Sequence, residues 1–204
     1  MKISRRFTAV LGVAAAMALP VAAQAQGATF GTTGYFSGAA SGCTASAMFT
    51  ATCSASGFTL TFTGATVNNT LGPTSLGTFA LTGTGPGPLT VPSNVIFNLV
   101  VSQTQPTSGN GSFLGTLSGT IQTNPNQSSL IWVPTTNSMN IDYTTYGLNF
   151  DNSGYAAGVG YGIPLGSTAR TINATVTTPE PSSMALLGTG LIGLVPMIRR
   201  KRQK

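Results

Sequence analysis

Between Gly57 and Val67 the chain reads GFTLTFTGATV, and this strict alternation most constrains what it can fold into. Phe58, Leu60 and Phe62 fall on one side of an extended strand, and Thr59, Thr61 and Thr63 on the other. Successive side chains of a strand point to opposite faces, whereas a helix would scatter the same residues around its circumference. The stretch therefore buries one face and wets the other. NVIFNLVVSQ adds a near-continuous apolar run from Val95 to Val101, the pattern of a strand covered on both faces. SSLIWVP, SMNIDYTTYGLNF and RTINATVTT supply further strands, and GSFLGTLSGTIQ a weaker one.

Turn residues stand between these segments: GTGPGP at 83–88, TSGNG at 107–111, NPNQ at 124–127 and DNSGY at 151–155. Short strands recurring every 8–12 residues or so, with Gly, Pro and Asn between them, predict an all-β body, a single β-sandwich or jelly-roll-like domain. Residues 26–178 contain no convincing amphipathic helix and no clean internal repeat, although their Thr and Gly richness leaves a solenoid open.

Charge narrows the function. The formal net charge is +6, but Lys2, Arg5 and Arg6 stand near one end and Arg199, Arg200, Lys201, Arg202 and Lys204 near the other. From 27 to 178 the only charged side chains are Asp142, Asp151 and Arg170. Nucleic-acid binding needs cations spread over a surface to neutralise phosphates, so it is excluded as a role for this body. The chain has no histidine, and the body has no lysine or glutamate. A Ser-His-Asp or Cys-His arrangement is thus out of reach, and a zinc site lacks ligands.

What remains for catalysis is Asp142 with Asp151, the two carboxylates a glycoside hydrolase would require. The structural reading of both is stronger. Asp151 opens DNSG, where an Asp side chain caps a turn, and Asp142 lies in a strand-like alternation between Ile141 and Tyr143, facing solvent. The body is read as non-enzymatic, with no cofactor and no metal; a calcium site at Asp151 and Asn152 is a weak alternative. Trp132, Tyr143, Tyr146, Tyr155 and Tyr161 offer either a sugar-stacking platform or core filling, and the latter is commoner. Asn68, Asn110, Asn126 and Asn173 match N-x-[ST], a pattern that arises readily by chance in so Asn- and Thr-rich a chain.

The two ends carry transport chemistry. MKISRRFTAVLGVAAAMALPVAAQAQG combines a basic start, an apolar run from Phe7 to Leu19 and the small-residue site Ala23-Gln24-Ala25. These are the parts of a signal peptide over residues 1–25, cut by signal peptidase, and the apolar run is shorter than the roughly 20 residues needed to span a bilayer. In an exported chain the isolated pair Cys43 and Cys53 is expected to form a disulfide, closing a ring of about 11 residues and contributing roughly 3 kcal/mol.

The far end reads TTPEPSSMALLGTGLIGLVPMIRRKRQK, residues 177–204. Its apolar stretch, 184–198, would make a helix of about 22 Å, which Ser182, Ser183 and snorkelling arginines extend toward the roughly 30 Å of a hydrocarbon core. The RRKRQK cluster favours the cytoplasmic side, as does the basic start, which leaves the body between them outside the inner membrane. Gly188, Gly190 and Gly193 spell G-x-G-x-x-G, but inside an apolar tail they serve close helix approach rather than dinucleotide binding.

Pro179-Glu180-Pro181, two serines, an apolar Leu/Gly segment and an arginine cluster, in that order, resemble the PEP-CTERM sorting signal. The resemblance covers residues 179–204. It implies that an exosortase, a membrane-embedded cysteine transpeptidase-like enzyme, recognises Pro179, Glu180 and Pro181. It also implies that 184–198 is the membrane hold and that Arg199, Arg200, Lys201 and Arg202 are the stop-transfer cluster. The family occurs in Gram-negative bacteria, commonly beside exopolysaccharide production and biofilm or floc formation.

The expected organisation is a signal peptide helix (1–25), a β-rich extracytoplasmic domain (26–178) and a sorting signal with a hydrophobic helix (179–204). The expected role is structural or adhesive, at the cell surface or in the extracellular matrix, reached through an inner-membrane intermediate. The alternative is a carbohydrate- or ice-binding module, since tails of this type also occur on some ice-binding surface proteins and the Thr59/Thr61/Thr63 face invites it. A hydrolase using Asp142 and Asp151 ranks last.

Overall fold

The alternation read at Phe58–Thr63 recurs along much of the body. The structure is a computed structural model that describes residues 26–38, 42–83, 88–91, 95–121, 130–150, 161–163 and 169–178. Among these the chain forms β1 (Ala28–Ser37), β2 (Thr50–Ala55), β3 (Phe58–Gly64), β4 (Thr66–Thr70), β5 (Gly72–Gly83), β6 (Leu89–Thr90) and β7 (Ile96–Gln105). It continues with β8 (Gly109–Ser118), β9 (Thr120–Ile121), β10 (Leu130–Pro134), β11 (Ser138–Ile141), β12 (Thr144–Asn149), β13 (Tyr161–Ile163) and β14 (Arg170–Thr177).

Two six-stranded sheets result, sheet A in the order β13-β10-β8-β7-β1-β4 and sheet B in the order β11-β12-β14-β5-β3-β2, with β6 and β9 as a separate ribbon. The pairings within them are antiparallel. The expected all-β body is therefore present. The helices expected over 1–25 and 184–198 lie outside the described residues.

Inward residues of both sheets meet in one core. Sheet A contributes Phe30 and Phe36, Phe97, Leu99 and Val101, Phe113 and Trp132; sheet B contributes Phe58 and Phe62, Phe79, Tyr146 and Ile172. Rings touch across the gap, Phe62 with Phe97 at 4.9 Å between centroids, Phe79 with Trp132 at 5.9 Å and Phe30 with Tyr146 at 5.3 Å. Edge-on and tilted contacts of this kind suit the ring quadrupole and add to the burial of large apolar area. Two glycines make the ring cluster possible. A Cβ on Gly34 of β1 would come within 2.6 Å of Phe97 and 2.7 Å of Phe62, and one on Gly77 of β5 would come within 2.7 Å of Phe62. Gly77 also holds φ at 132°, a conformation other residues rarely adopt.

The chain crosses from sheet B to sheet A at Ala65, between β3 and β4, and Thr32 fixes that corner. The Thr32 hydroxyl donates to the Leu76 carbonyl at 2.7 Å and accepts from the Ala65 N–H at 2.7 Å, while the Thr32 N–H donates to the Ala65 carbonyl at 2.8 Å. A buried threonine thus pairs backbone groups that a valine would leave unsatisfied.

One side of the body is closed by the segment 42–48. The Phe36 N–H donates to the Thr44 carbonyl at 2.7 Å, and Gly34 exchanges both backbone bonds with Met48, at 2.8 and 2.9 Å. The same segment reaches β2, with the Thr44 N–H on the Thr52 carbonyl at 2.8 Å and the Ser54 N–H on the Gly42 carbonyl at 3.1 Å. It covers backbone edges of both sheets that would otherwise invite pairing with another chain. The expected Cys43–Cys53 disulfide is formed and ties this segment to β2.

One sequence expectation needs correction and another is refined. SMNIDYTTYGLNF is not one strand: it folds back as the β11–β12 hairpin, with Asp142 and Tyr143 in the turn and Asp142 at φ 52°. Asp142 is exposed as expected, but in a left-handed turn position that Asp tolerates, not in a strand. The Val95–Val101 run is covered fully on its inner face and more loosely on the other, where Asn98 is buried between the partly buried Ile96 and Val100. Their neighbours on that outer face include the small Ser37, Thr33 and Ser112.

Candidate functional site

The aromatic residues resolve first. Trp132, Tyr146 and Tyr161 are all fully buried, so they form part of the core and not a sugar-stacking platform. Each polar tip is satisfied inside. The Trp132 indole N–H donates to the Phe97 carbonyl at 3.3 Å, and the Tyr146 hydroxyl donates to Gln103 Oε1 at 2.7 Å. The Tyr161 hydroxyl lies 2.9 Å from the Asn149 carbonyl and 2.7 Å from that of Asn173, linking the β13 edge of sheet A to sheet B. Burial pushes the Tyr146 phenol up to about 12, because an anion there would be stripped of water. Of the four described residues among the tyrosines and tryptophan weighed, only Tyr143 is exposed; Tyr155 lies outside the described residues.

Asp151 and Asn152 lie outside the described residues, as do Ala23, Ala25, Pro179, Glu180, Pro181 and Arg199 to Arg202. Among the sequons, Asn68 and Asn110 are exposed on β4 and β8, Asn173 is half-buried on β14, and Asn126 is not described. No group of three or more metal-ligating side chains occurs among the described residues.

Two surfaces remain as candidates. The first is the outer face of sheet B, where the strand register brings hydroxyls side by side. Thr50, Thr63, Thr78 and Thr171 form one row across four strands, and Thr52 faces Thr61, while Ser54, Thr59 and Thr82 form another row. Strand geometry spaces such rows about 4.8 Å apart across the sheet and about 6.8 Å along it. Ser54 and Thr59 bond to each other at 2.9 Å, and Asn149 donates to Thr175 at 2.8 Å. The alternation seen in the sequence found one strand of this face; its extension over neighbouring strands depended on registers that a single sequence does not show.

The second is an apolar cavity of about 130 Å³ at the end of the body marked by Gly83 and Ser37. Phe58, Leu60, Leu81, Val95, Leu117 and the Cys43–Cys53 bridge are among its walls. Among the described residues its lining is apolar apart from Ser54, so what it offers is chiefly hydrophobic contact.

The opposite end holds both chain junctions. The Thr178 hydroxyl donates to the Gln26 carbonyl at 3.4 Å, so the chain enters β1 and leaves β14 at the same place. The turns 69–71, 106–108 and 142–143 lie at this end too, as the pairs Ala28 with Thr70, Thr29 with Gln105 and Thr145 with Thr177 require. Everything beyond Thr178 is attached there.

Residues 177–202 match the family model of the PEP-CTERM protein-sorting motif. The match starts on the last residue of β14, so the motif follows the folded body with no intervening linker. It bears out the resemblance of the tail, and a motif of this kind marks a chain for export and for an exosortase as its processing partner. No curated protein and no solved structure matches the chain.

Proposed function

We propose that this chain is a non-enzymatic surface or extracellular-matrix protein of a Gram-negative bacterium, structural or adhesive in an exopolysaccharide or biofilm setting. The observation that carries the reading is the sorting motif at 177–202, which begins where the last strand ends. In this reading signal peptidase cuts after Ala25 and the 184–198 segment holds an inner-membrane intermediate. Exosortase then acts at Pro179, Glu180 and Pro181, and the β body is delivered outward. The body suits display: it is low in charge, hydroxyl-rich and disulfide-tied.

Replacing Pro179, Glu180 and Pro181 together by alanine tests the reading in an exosortase-bearing host. The variant is expected to stay with the inner-membrane fraction while the parent chain reaches the surface or medium; equal delivery of both would contradict it. The hydroxyl rows of sheet B support a second reading, a module for neutral polysaccharide or ice. With the aromatic platform gone, that reading rests on hydroxyls alone. Glycan pull-down and thermal-hysteresis measurements address it, and a negative result in both leaves the structural role.

A further inference from the structure

We infer that the end of the body bearing Gln26 and Thr178 is a lipid-contacting face, and that Leu71 and Tyr143 are its anchors at a zwitterionic bilayer surface. The inference rests on the reading that 184–198 is held in the membrane before processing.

The reach of the chain is the first argument. Strand order persists to Thr177, and the apolar stretch starts at Met184, six residues beyond Thr178. At about 3.5 Å per residue this tether is at most about 21 Å long even when fully extended. The polar headgroup layer takes up about 5–8 Å on each side of the hydrocarbon core. The junction end of the body is thus confined close to the surface whenever the tail is inserted.

The residues at that end are the second argument. Tyr143 is 65 % exposed, the most of any large hydrophobic among the described residues, and Leu71 is 43 % exposed. Each stands at the tip of a turn: Tyr143 in the β11–β12 hairpin, and Leu71 where the chain crosses from β4 to β5. Neither turn requires such a side chain. A two-residue hairpin is ordinarily met by Asn-Gly or Asp-Gly, so the ring at the second position is surplus to the turn. Tyrosine is enriched at membrane interfaces, where its ring sits at headgroup level and its hydroxyl stays wet.

Charge selects the lipid. Among the described residues this end carries Asp142 beside Tyr143 and no cation, since Arg170 lies at the other end of β14. A polybasic patch would favour anionic lipid. A carboxylate such as that of Asp142 instead suits the ammonium groups of phosphatidylcholine and phosphatidylethanolamine.

The test uses the full chain reconstituted in phosphatidylcholine–phosphatidylethanolamine vesicles containing brominated acyl chains. Tryptophan is placed by Leu71→Trp, by Tyr143→Trp and, as a control at the far end of β5, by Thr82→Trp. The signal of buried Trp132 is subtracted using the unsubstituted chain. Because interfacial tryptophan sits at headgroup level, L71W and Y143W are expected to lose emission to the bromines about twofold or more relative to T82W. Flotation of the same vesicles on a density gradient is read in parallel. Flotation with no more quenching at 71 and 143 than at 82 overturns the lipid-contacting face alone. Failure to float overturns the membrane-held tail, and this inference with it.

Discussion

Gly34 shows how one missing atom organises the core. Alanine there would press on Phe62 and Phe97 at once, and neither ring can retreat because each packs on further rings. Gly34→Ala is expected to cost about 1–3 kcal/mol in urea unfolding, the range for overpacked cores. Gly31→Ala, three residues earlier in the same strand and with only the Ala65 carbonyl near its new carbon at 4.0 Å, is the control that should change little. Tyr146 makes a different prediction. Its phenol keeps its proton to about 12 in the folded chain, against 10.0 for an unperturbed group. Between about pH 10 and 12 the unfolded state therefore binds fewer protons, and stability present below pH 10 is lost as pH rises. Tyr146→Phe should flatten that part of a pH–stability profile, and an unchanged alkaline limb would contradict the assignment.

At the scale of elements, the 42–48 segment matters because it is bonded to β1 and β2 together, and the disulfide keeps it there. Replacing both Cys43 and Cys53 by serine should lower stability by roughly 3 kcal/mol, the loop-entropy value for so short a ring. Limited proteolysis should then cut near this segment before any other described part of the body; an unchanged unfolding midpoint and cleavage pattern would show the bridge to be dispensable. Strands were legible where large apolar residues alternate, as in β3, or run together, as in β7 and β10. The short β6 and β13 escaped the sequence reading, and so did β1, β2 and β5. Their inward positions are diluted by Thr32, Gly34 and Ala51, and β5 carries the Gly77 irregularity that shifts its alternation. The spacing of Phe30 and Phe36, six apart and hence on one face, was the available clue to β1. The β11–β12 turn was missed because Asp-Tyr lacks the glycine that usually marks a tight hairpin. The hydroxyl rows needed strand order, a property of contacts far apart in sequence.

For the whole molecule, the basic segments and the folded body divide cleanly along the chain. The cations gather near the two ends, while Gln26–Thr178 carries Asp142, Asp151 and Arg170 as its only charges. Both junctions emerge together, so removal of residues 1–25 and 179–204 would leave sheets, core and disulfide intact. The sorting segment was legible in sequence because its information is linear, a short motif followed by an apolar run and a basic cluster. The body's contribution is spatial and became visible only with the fold. The most direct measurement is intact-mass spectrometry of the protein recovered from the surface or medium of an exosortase-bearing host. The account predicts a chain that starts just after Ala25, carries the Cys43–Cys53 bridge and lacks the 184–204 segment. A surface-delivered chain that still contains 184–204 would contradict it.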